Sequence, residues 1–293
     1  MPLAKLAVWA GIDCFTAPDA ATFARKVESW GYDALWIPEG LGREIFSSAA
    51  WLLASTNRLK VATGIANIYA RDAFSAAAAQ KGLHEQSGGR FVMGLGVSHV
   101  PLVEGVRHLK YGKPVETMRA YLQAMAGSPY MAPPPTGKPL TILAALGPLM
   151  TELAAEKADG AHPYNSTPEH TAEARHLLGP GKWLCVEQAA ILETDASKAR
   201  AAARQFLAIY LPLPNYVNAW KRMGFTDDDV AGGGSDRLVD AIVAWGDESA
   251  IRRRLELHWQ AGADQVCVQA IGQMKGMLGL PDERLLALLA PGA

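Results

Sequence analysis

The 293-residue chain predicts an α/β protein, a (β/α)8 TIM barrel with an insertion before the last strand. Three observations lead there. Short apolar strand runs alternate with amphipathic helical runs from one end to the other, which requires a parallel sheet because each crossover must return across its face. Eight such units fit a closed barrel of this length, with an open doubly wound sheet as the runner-up. Polar side chains gather where the strands end. Ala34–Glu39 finishes on a carboxylate, and Leu59–Arg71 breaks at Gly64 and then presents Asn67, Tyr69 and Arg71. Phe91–His99 finishes on Ser98 and His99, and Ala158–His162 on an imidazole. In a parallel barrel those ends share one face, where ligand sites are built.

The elements follow in order. Leu6–Trp9 is the first strand. Pro18–Trp30 is an amphipathic helix with a proline in its first turn and Gly31 as its stop. Ala34–Ile37 is strand two and Ser47–Ser55 a helix. Leu59–Thr63 is strand three, and Ala73–Ser87 a helix closed by Gly88 and Gly89. Phe91–Leu95 is strand four, followed by a loop and a helix over Val115–Met125. The prolines of Tyr130–Gly137 force a loop. Strand five is Leu140–Ala144, a helix covers Leu149–Lys157, and Asp159–His162 is a brief strand six. Thr167 caps a helix that opens on Pro168 and runs to Leu178. Leu184–Leu192 is strand seven and Ala196–Leu207 its helix. An irregular piece, about 209–236, carries Tyr216, Trp220 and Phe225 and is expected to roof the substrate site. Arg237–Trp245 and Glu248–Ala261 read as helices, Gln265–Ala270 as strand eight, and Asp282–Leu289 as a terminal helix. No composition break divides residues 1–293, so one domain is expected.

Composition narrows the function. Hydrophobic residues make up 49% and charged residues 19%, with a net charge of −1. That supplies a core and gives no basic surface for nucleic acid. The run Arg252–Arg254 has Glu248 and Glu256 nearby and reads as a solvated face. No apolar run reaches the roughly 20 residues that cross a bilayer, and the N-terminal stretch reads as a strand rather than a signal peptide. Cys14, Cys185 and Cys267 form no CxxC pair, which fits a reduced, cytoplasmic setting.

Several chemistries are unsupported. Gly94-Leu95-Gly96 lacks the third glycine of a dinucleotide fingerprint and follows the fourth strand rather than the first. His84-Glu85 does not continue to a second histidine, and no HxH pair follows strand one, so no metal site is expected. There is no Gly-x-Ser-x-Gly elbow and no phosphate-binding loop motif. Glu39 and Glu187 as a glycosidase pair lack aromatic sugar platforms. Glu187-Gln188 interrupts an apolar strand and must find partners inside the fold. The remaining candidates for proton chemistry are Glu39, His99 and His162.

Five segments together resemble the luciferase-like superfamily of flavin- and deazaflavin-dependent oxidoreductases: Gly31–Glu39, Val61–Asn67, Arg90–His99, Leu143–Pro148 with Ala158–Gly160, and Gly262–Gln269. They span the chain in family order. Asn67 and the Ser98-His99 ending are closest to the subgroup that uses coenzyme F420. The resemblance implies hydride transfer between F420 and a small, fairly apolar organic substrate. It implies that Gly64 and Ile65 form a strand-three bulge, often with a cis peptide, behind the cofactor ring. Asn67 would bond the pyrimidine edge, Val97 and Ser98 would line the ring or ribityl chain, and Ala145, Leu146 and Gly147 would approach the phosphate. Glu39 would lie near the reactive carbon. The family's acid–His pair is absent here, since Gly40 follows Glu39, and no cluster of lysines and arginine for a phosphorylated substrate is visible. An FMN-dependent monooxygenase and a non-catalytic flavin-binding barrel are the alternatives. Family analogy implies a homodimer, with Ala49–Ala54 and Ala73–Ala79 as small-residue faces that suit either a partner or the barrel.

Overall fold

A computed structural model describes residues 3–275 and 278–291; Met1 and Pro2, part of the N-terminal expectation, lie outside the described residues. The strands are β1 Leu6–Trp9, β2 Ala34–Ile37, β3 Lys60–Thr63, β4 Ala66–Asn67, β5 Phe91–Gly96, β6 Leu140–Ala144, β7 Gly160–His162, β8 Trp183–Leu192, β9 Ala244–Gly246, β10 Gln265–Lys275 and β11 Leu278–Pro281. Eight of them, β1-β2-β3-β5-β6-β7-β8-β10, run parallel in that order, and β10 closes the ring by pairing with both β8 and β1. The (β/α)8 barrel expected from the sequence is therefore present. Three short strands are added to it: β4 on β5, β9 on the end of β8, and β11 antiparallel to β10.

The helices that flank the barrel are α1 Ala17–Ser29, α2 Ile45–Ala54, α3 Ala73–Gln86, α4 Pro114–Ala126, α5 Pro148–Lys157, α6 Pro168–Leu178 and α7 Ala196–Leu207. Then follow α8 Pro214–Arg222, α9 Asp227–Val230, α10 Asp236–Ile242, α11 Glu248–Gln260 and α12 Glu283–Leu288. Their starts are set by side-chain caps. Thr16, Asp72 and Thr167 each accept a backbone N–H of the first turn, satisfying donors that have no intrahelical partner. Gly31 and Gly88 end α1 and α3 at positive φ, 85° and 63°, where a side chain would be strained. The alanine faces of α2 and α3 are turned inward: Ala49, Ala76 and Ala77 belong to the main core against the barrel, while Trp51 and Phe74 are exposed.

Several stretches differ from the sequence reading. The piece expected to be irregular, about 209–236, holds α8 and α9, and strand eight continues to Lys275, where it pairs with β11. The helix expected over Arg237–Trp245 stops at Ile242, and Ala244–Gly246 turns into β9. The cause lies in β8, whose ten residues overhang the barrel. Ala190–Leu192 offer an open edge that β9 pairs with. The loop after strand four contains a π-helical turn, Pro101–Val106.

The barrel interior is filled by a few large rings among small residues. Trp36 is wholly buried and stacks on His162 at 4.4 Å with planes 8° apart. Its indole N–H donates to Gln265 Oε1 at 2.9 Å, so no polar atom of the ring is stranded. Gly94 allows β3 and β5 to close up: a Cβ there would lie 1.9 Å from the Thr63 carbonyl oxygen.

Candidate active site

The strand-two and strand-three ends meet through charge. Glu39 Oε2 accepts the Asn67 N–H at 2.7 Å and Arg71 Nη1–H at 2.9 Å, and Glu39 Oε1 is ion-paired with Arg71 Nη2. Arg71 also reaches Glu44 at 3.1 Å and lies over the Phe46 ring. Such a forked pair fixes geometry as well as charge. Both Glu39 oxygens are occupied, and its side chain is only 5% exposed. The pair holds Asn67 in place. Asn67 Oδ1 accepts the Tyr69 N–H at 2.9 Å, while Asn67 Nδ2 is buried without a partner. Beside it the Gly64–Ile65 peptide is cis, and the Trp9 indole donates to the Gly64 carbonyl at 3.2 Å. Gly96 lies against Ile65: a Cβ at Gly96 would be 2.5 Å from that side chain.

At the end of β5, Ser98 adopts φ 58°, and its carbonyl accepts the Tyr111 hydroxyl at 3.3 Å. His99 Nδ1 meets Asn215 Oδ1 at 3.1 Å, so Nδ1 carries the proton, and the ring lies 5.6 Å from Tyr216. Burial lowers its pKa, opposed by the Asn215 bond, and the imidazole is neutral at pH 7. His99 thus ties the β5 end to α8.

His162 is buried. It lies within the barrel, 2% exposed, with Nδ1–H donating to the Cys185 carbonyl at 2.6 Å and Nε2 buried without a partner. Burial pushes its pKa down to about 4. It stacks on Trp36 and has no contact with Glu39 or His99 among the hydrogen bonds of the described residues.

At the β6 end, Gly147 is the N-cap of α5 and carries no capping side chain, so the first-turn N–H groups face outward from the strand end. The Leu146 carbonyl accepts from Arg222 Nη2 at 3.1 Å and His170 Nε2 at 3.3 Å. Arg222, from the irregular segment, brings a positive charge to this corner. A Cβ at Gly147 would lie 3.2 Å from its guanidinium.

The remaining side of the mouth is aromatic. Trp9 lies 5.1 Å from Tyr164, Tyr164 lies 5.4 Å from Tyr210, and Tyr216 lies 6.0 Å from Trp220. Trp220 donates its indole N–H to the Asn165 carbonyl at 3.0 Å, fastening α8 to the turn after β7. Beneath these rings, Glu187 is fully buried. Its Oε2 accepts the Asn165 N–H at 2.9 Å, and Oε1 has no partner among the described residues. Desolvation, opposed by that one bond, pushes its pKa up to about 8. The neighbouring Gln188 points the other way and is satisfied by Ile242 O and His258.

Sequence reading passed over Arg222 and the role of Arg71. Arg222 lies in a segment with no strand or motif to mark it. Arg71 was visible as a polar residue at a strand end, but its partner Glu39 is 32 positions earlier.

A parallel barrel with its polar groups at the C-terminal strand ends, a cis peptide after the third barrel strand and an uncapped helix N-terminus after the fifth has the face at which barrel enzymes carry their sites. The luciferase-like monooxygenase family model matches residues 7–265, and the chain belongs to that family. A Mycobacterium tuberculosis protein that bears the name coenzyme F420-dependent oxidoreductase is 26% identical over 312 residues, covering 85% of this chain and 90% of its own. The coenzyme F420-dependent tetrahydromethanopterin reductase from Methanopyrus kandleri superposes with TM-score 0.78 at 17% identity, over 99% and 98% of the two chains. An EDTA monooxygenase from a Chelativorans species superposes with TM-score 0.74 at 14% identity, over 99% and 93%. At these identities the two structures share the fold.

Proposed function

We propose that the protein is an oxidoreductase that transfers a hydride between coenzyme F420 and a small organic substrate. The observation that carries this reading is Asn67 Nδ2, a buried donor with no partner among the described residues, held in place by the Glu39–Arg71 pair beside the Gly64–Ile65 peptide. A buried donor without a partner costs free energy unless a ligand meets it. The carbonyl edge of a flat heterocycle is such a ligand.

The residues fit the cofactor along its length. Gly64, Ile65 and Asn67 would hold the ring, with Gly96 giving Ile65 its place against β5. Val97 and Ser98 would line the ribityl chain. Ala145, Leu146 and Gly147 would meet the phosphate at the start of α5, with Arg222 adding charge complementarity. When bound, the deazaflavin supplies the hydride chemistry, and the protein supplies orientation and proton delivery. With both Glu39 oxygens engaged, its role is to position Asn67. His162 is buried against Trp36. His99 is the histidine at the mouth, with Nε2 free to accept a proton.

The M. tuberculosis relative, matched over most of both chains, supports F420 as the cofactor. Titration of the purified cofactor-free protein with F420 and, separately, with FMN tests the reading by fluorescence quenching. Saturable binding of F420 at micromolar or lower concentration is expected. Preference for FMN would move the protein to the monooxygenase branch, and binding of neither would remove the cofactor assignment.

A further inference from the structure

Strand β8 alternates between two environments. Leu184, Val186 and Ala190 belong to the core beneath the helices, and Gln188 bonds to His258 of α11. Cys185 and Ala189 belong with Trp9, Trp36 and Cys267 in the barrel interior. Glu187 lies between them in the alternation and therefore faces inward. It is a carboxyl group with a single backbone N–H partner and, among the described residues, no cation paired with it. A buried carboxylate so placed is costly, and the group stays neutral instead.

The groups around it are neutral as well. From the β7 side come His162 and Tyr164, from β10 Cys267, from its own strand Cys185, and from the segment above Tyr210 and Tyr216. Burial keeps the imidazole unprotonated and the phenols and thiols protonated at pH 7. The single Tyr164 proton goes to Gln269 Oε1 at 2.7 Å, so Tyr210 is the donor in the 2.6 Å Tyr164–Tyr210 bond. Two cations are described at the mouth: Arg71, already matched by Glu39 and Glu44, and Arg222 of α8, which is turned to the Leu146 carbonyl at the β6 corner. Buried atoms without partners cluster on this side: Glu187 Oε1, Asn165 Nδ2 and Oδ1, and Ser166 Oγ.

We propose that this aromatic side of the mouth selects a flat, uncharged substrate with a hydrogen-bonding head group and turns away anions, and that the buried carboxyl of Glu187 sets the preference. The proposal rests on the reading of this barrel end as the substrate side. A neutral amide or carbonyl finds ring faces and neutral donors. Beside Glu187 a carboxylate or phosphate would lose its water with no cation among the described residues paired there in return, next to a group that can itself become negative.

Benzamide and benzoate share a shape and differ in charge, so they isolate the effect. Their binding to the full-length protein is followed by tryptophan fluorescence at pH 6.5 and pH 9, with and without F420. At pH 6.5 benzamide should bind about tenfold or more tightly than benzoate. Burial pushes Glu187 up to about 8, so any residual benzoate binding should weaken further at pH 9 in the wild type but not in Glu187→Gln. Equal or tighter binding of benzoate overturns the proposal, as does stronger binding of benzylammonium or no saturable binding of benzamide. The wild-type comparison stands even if the variant does not fold. If F420 fails to bind while the benzamide preference persists, the cofactor reading falls and this inference survives. If F420 binds without that preference, the inference alone falls.

Discussion

On the proposed reading, the Glu39–Arg71 ion pair would serve the binding site by holding Asn67. The pair is largely buried, so each charge depends on the other. Removing one partner leaves the other stranded, a loss of about 3–5 kcal/mol in comparable buried pairs. Arg71→Met keeps the apolar stem over Phe46 and removes the charge. It is expected to lower stability by roughly that amount, and Glu39→Gln combined with Arg71→Met should recover part of it. Both variants loosen the backbone N–H of Asn67, so F420 affinity should fall by about tenfold or more even where stability is recovered. Thermal denaturation and cofactor titration of the single and double variants separate the two effects. Unchanged F420 affinity in the double variant would show that the pair does not position Asn67.

Among the elements, β3 and β5 are the pair on which the site depends most directly, and their contact is set by Gly94. Thr63 Oγ1 donates to the Gly94 carbonyl and accepts the Gly94 N–H, at 2.7 and 2.8 Å. A methyl group in that space would press on the Thr63 carbonyl oxygen. Gly94→Ala is expected to cost about 3 kcal/mol, because the obstacle is backbone rather than a flexible side chain. Denaturant unfolding measures this, and a loss under about 1 kcal/mol would mean that the two strands have room to separate. Such element-level features account for what the sequence made legible. The barrel strands are short β-branched or apolar runs bounded by glycine and polar residues, so both their positions and the residues at their ends could be read. The end of α10 could not. Leu238, Val239, Ile242 and Val243 continue an apolar helical pattern, and only the free edge of β8 turns the chain into β9. The site divides in the same way. Asn67, Ser98 and His99 stand where local pattern puts them. The Glu39–Arg71 pair, the arrival of Arg222 beside Gly147, and the missing partner of Glu187 depend on contacts between distant segments. Those contacts follow from barrel closure and leave no trace in local spacing.

At the scale of the whole molecule, the buried titratable groups set opposing pH dependences. His162 and His258 are held by burial at about 4 and about 3, against an ordinary value of 6.5. The unfolded chain therefore binds more protons at these positions, and the stability they allow is present above 6.5 and lost as pH falls through the folded values. Glu187 acts in the reverse sense. Its folded value of about 8 exceeds the ordinary 4.5, so the folded protein binds the extra proton, and that stability is full below 4.5 and lost as pH rises toward 8. Between 4.5 and 6.5 two histidines outweigh one carboxyl and stability rises with pH. Between 6.5 and 8 only Glu187 remains among these three and stability falls. Each limb has a slope of roughly 1.4 kcal/mol per pH unit as an upper bound. Urea unfolding across pH 4.5–8.5 should give a maximum near pH 6.5. Glu187→Gln should flatten the alkaline limb and steepen the acid limb to roughly 2.8 kcal/mol per pH unit as an upper bound, because the amide binds no proton and no longer offsets one of the two histidines. A wild-type curve that keeps rising to pH 8 would mean that Glu187 is ionised in the folded protein. The uncharged mouth would then lose its physical basis, while the barrel and the proposed cofactor contacts at the strand ends would be unaffected.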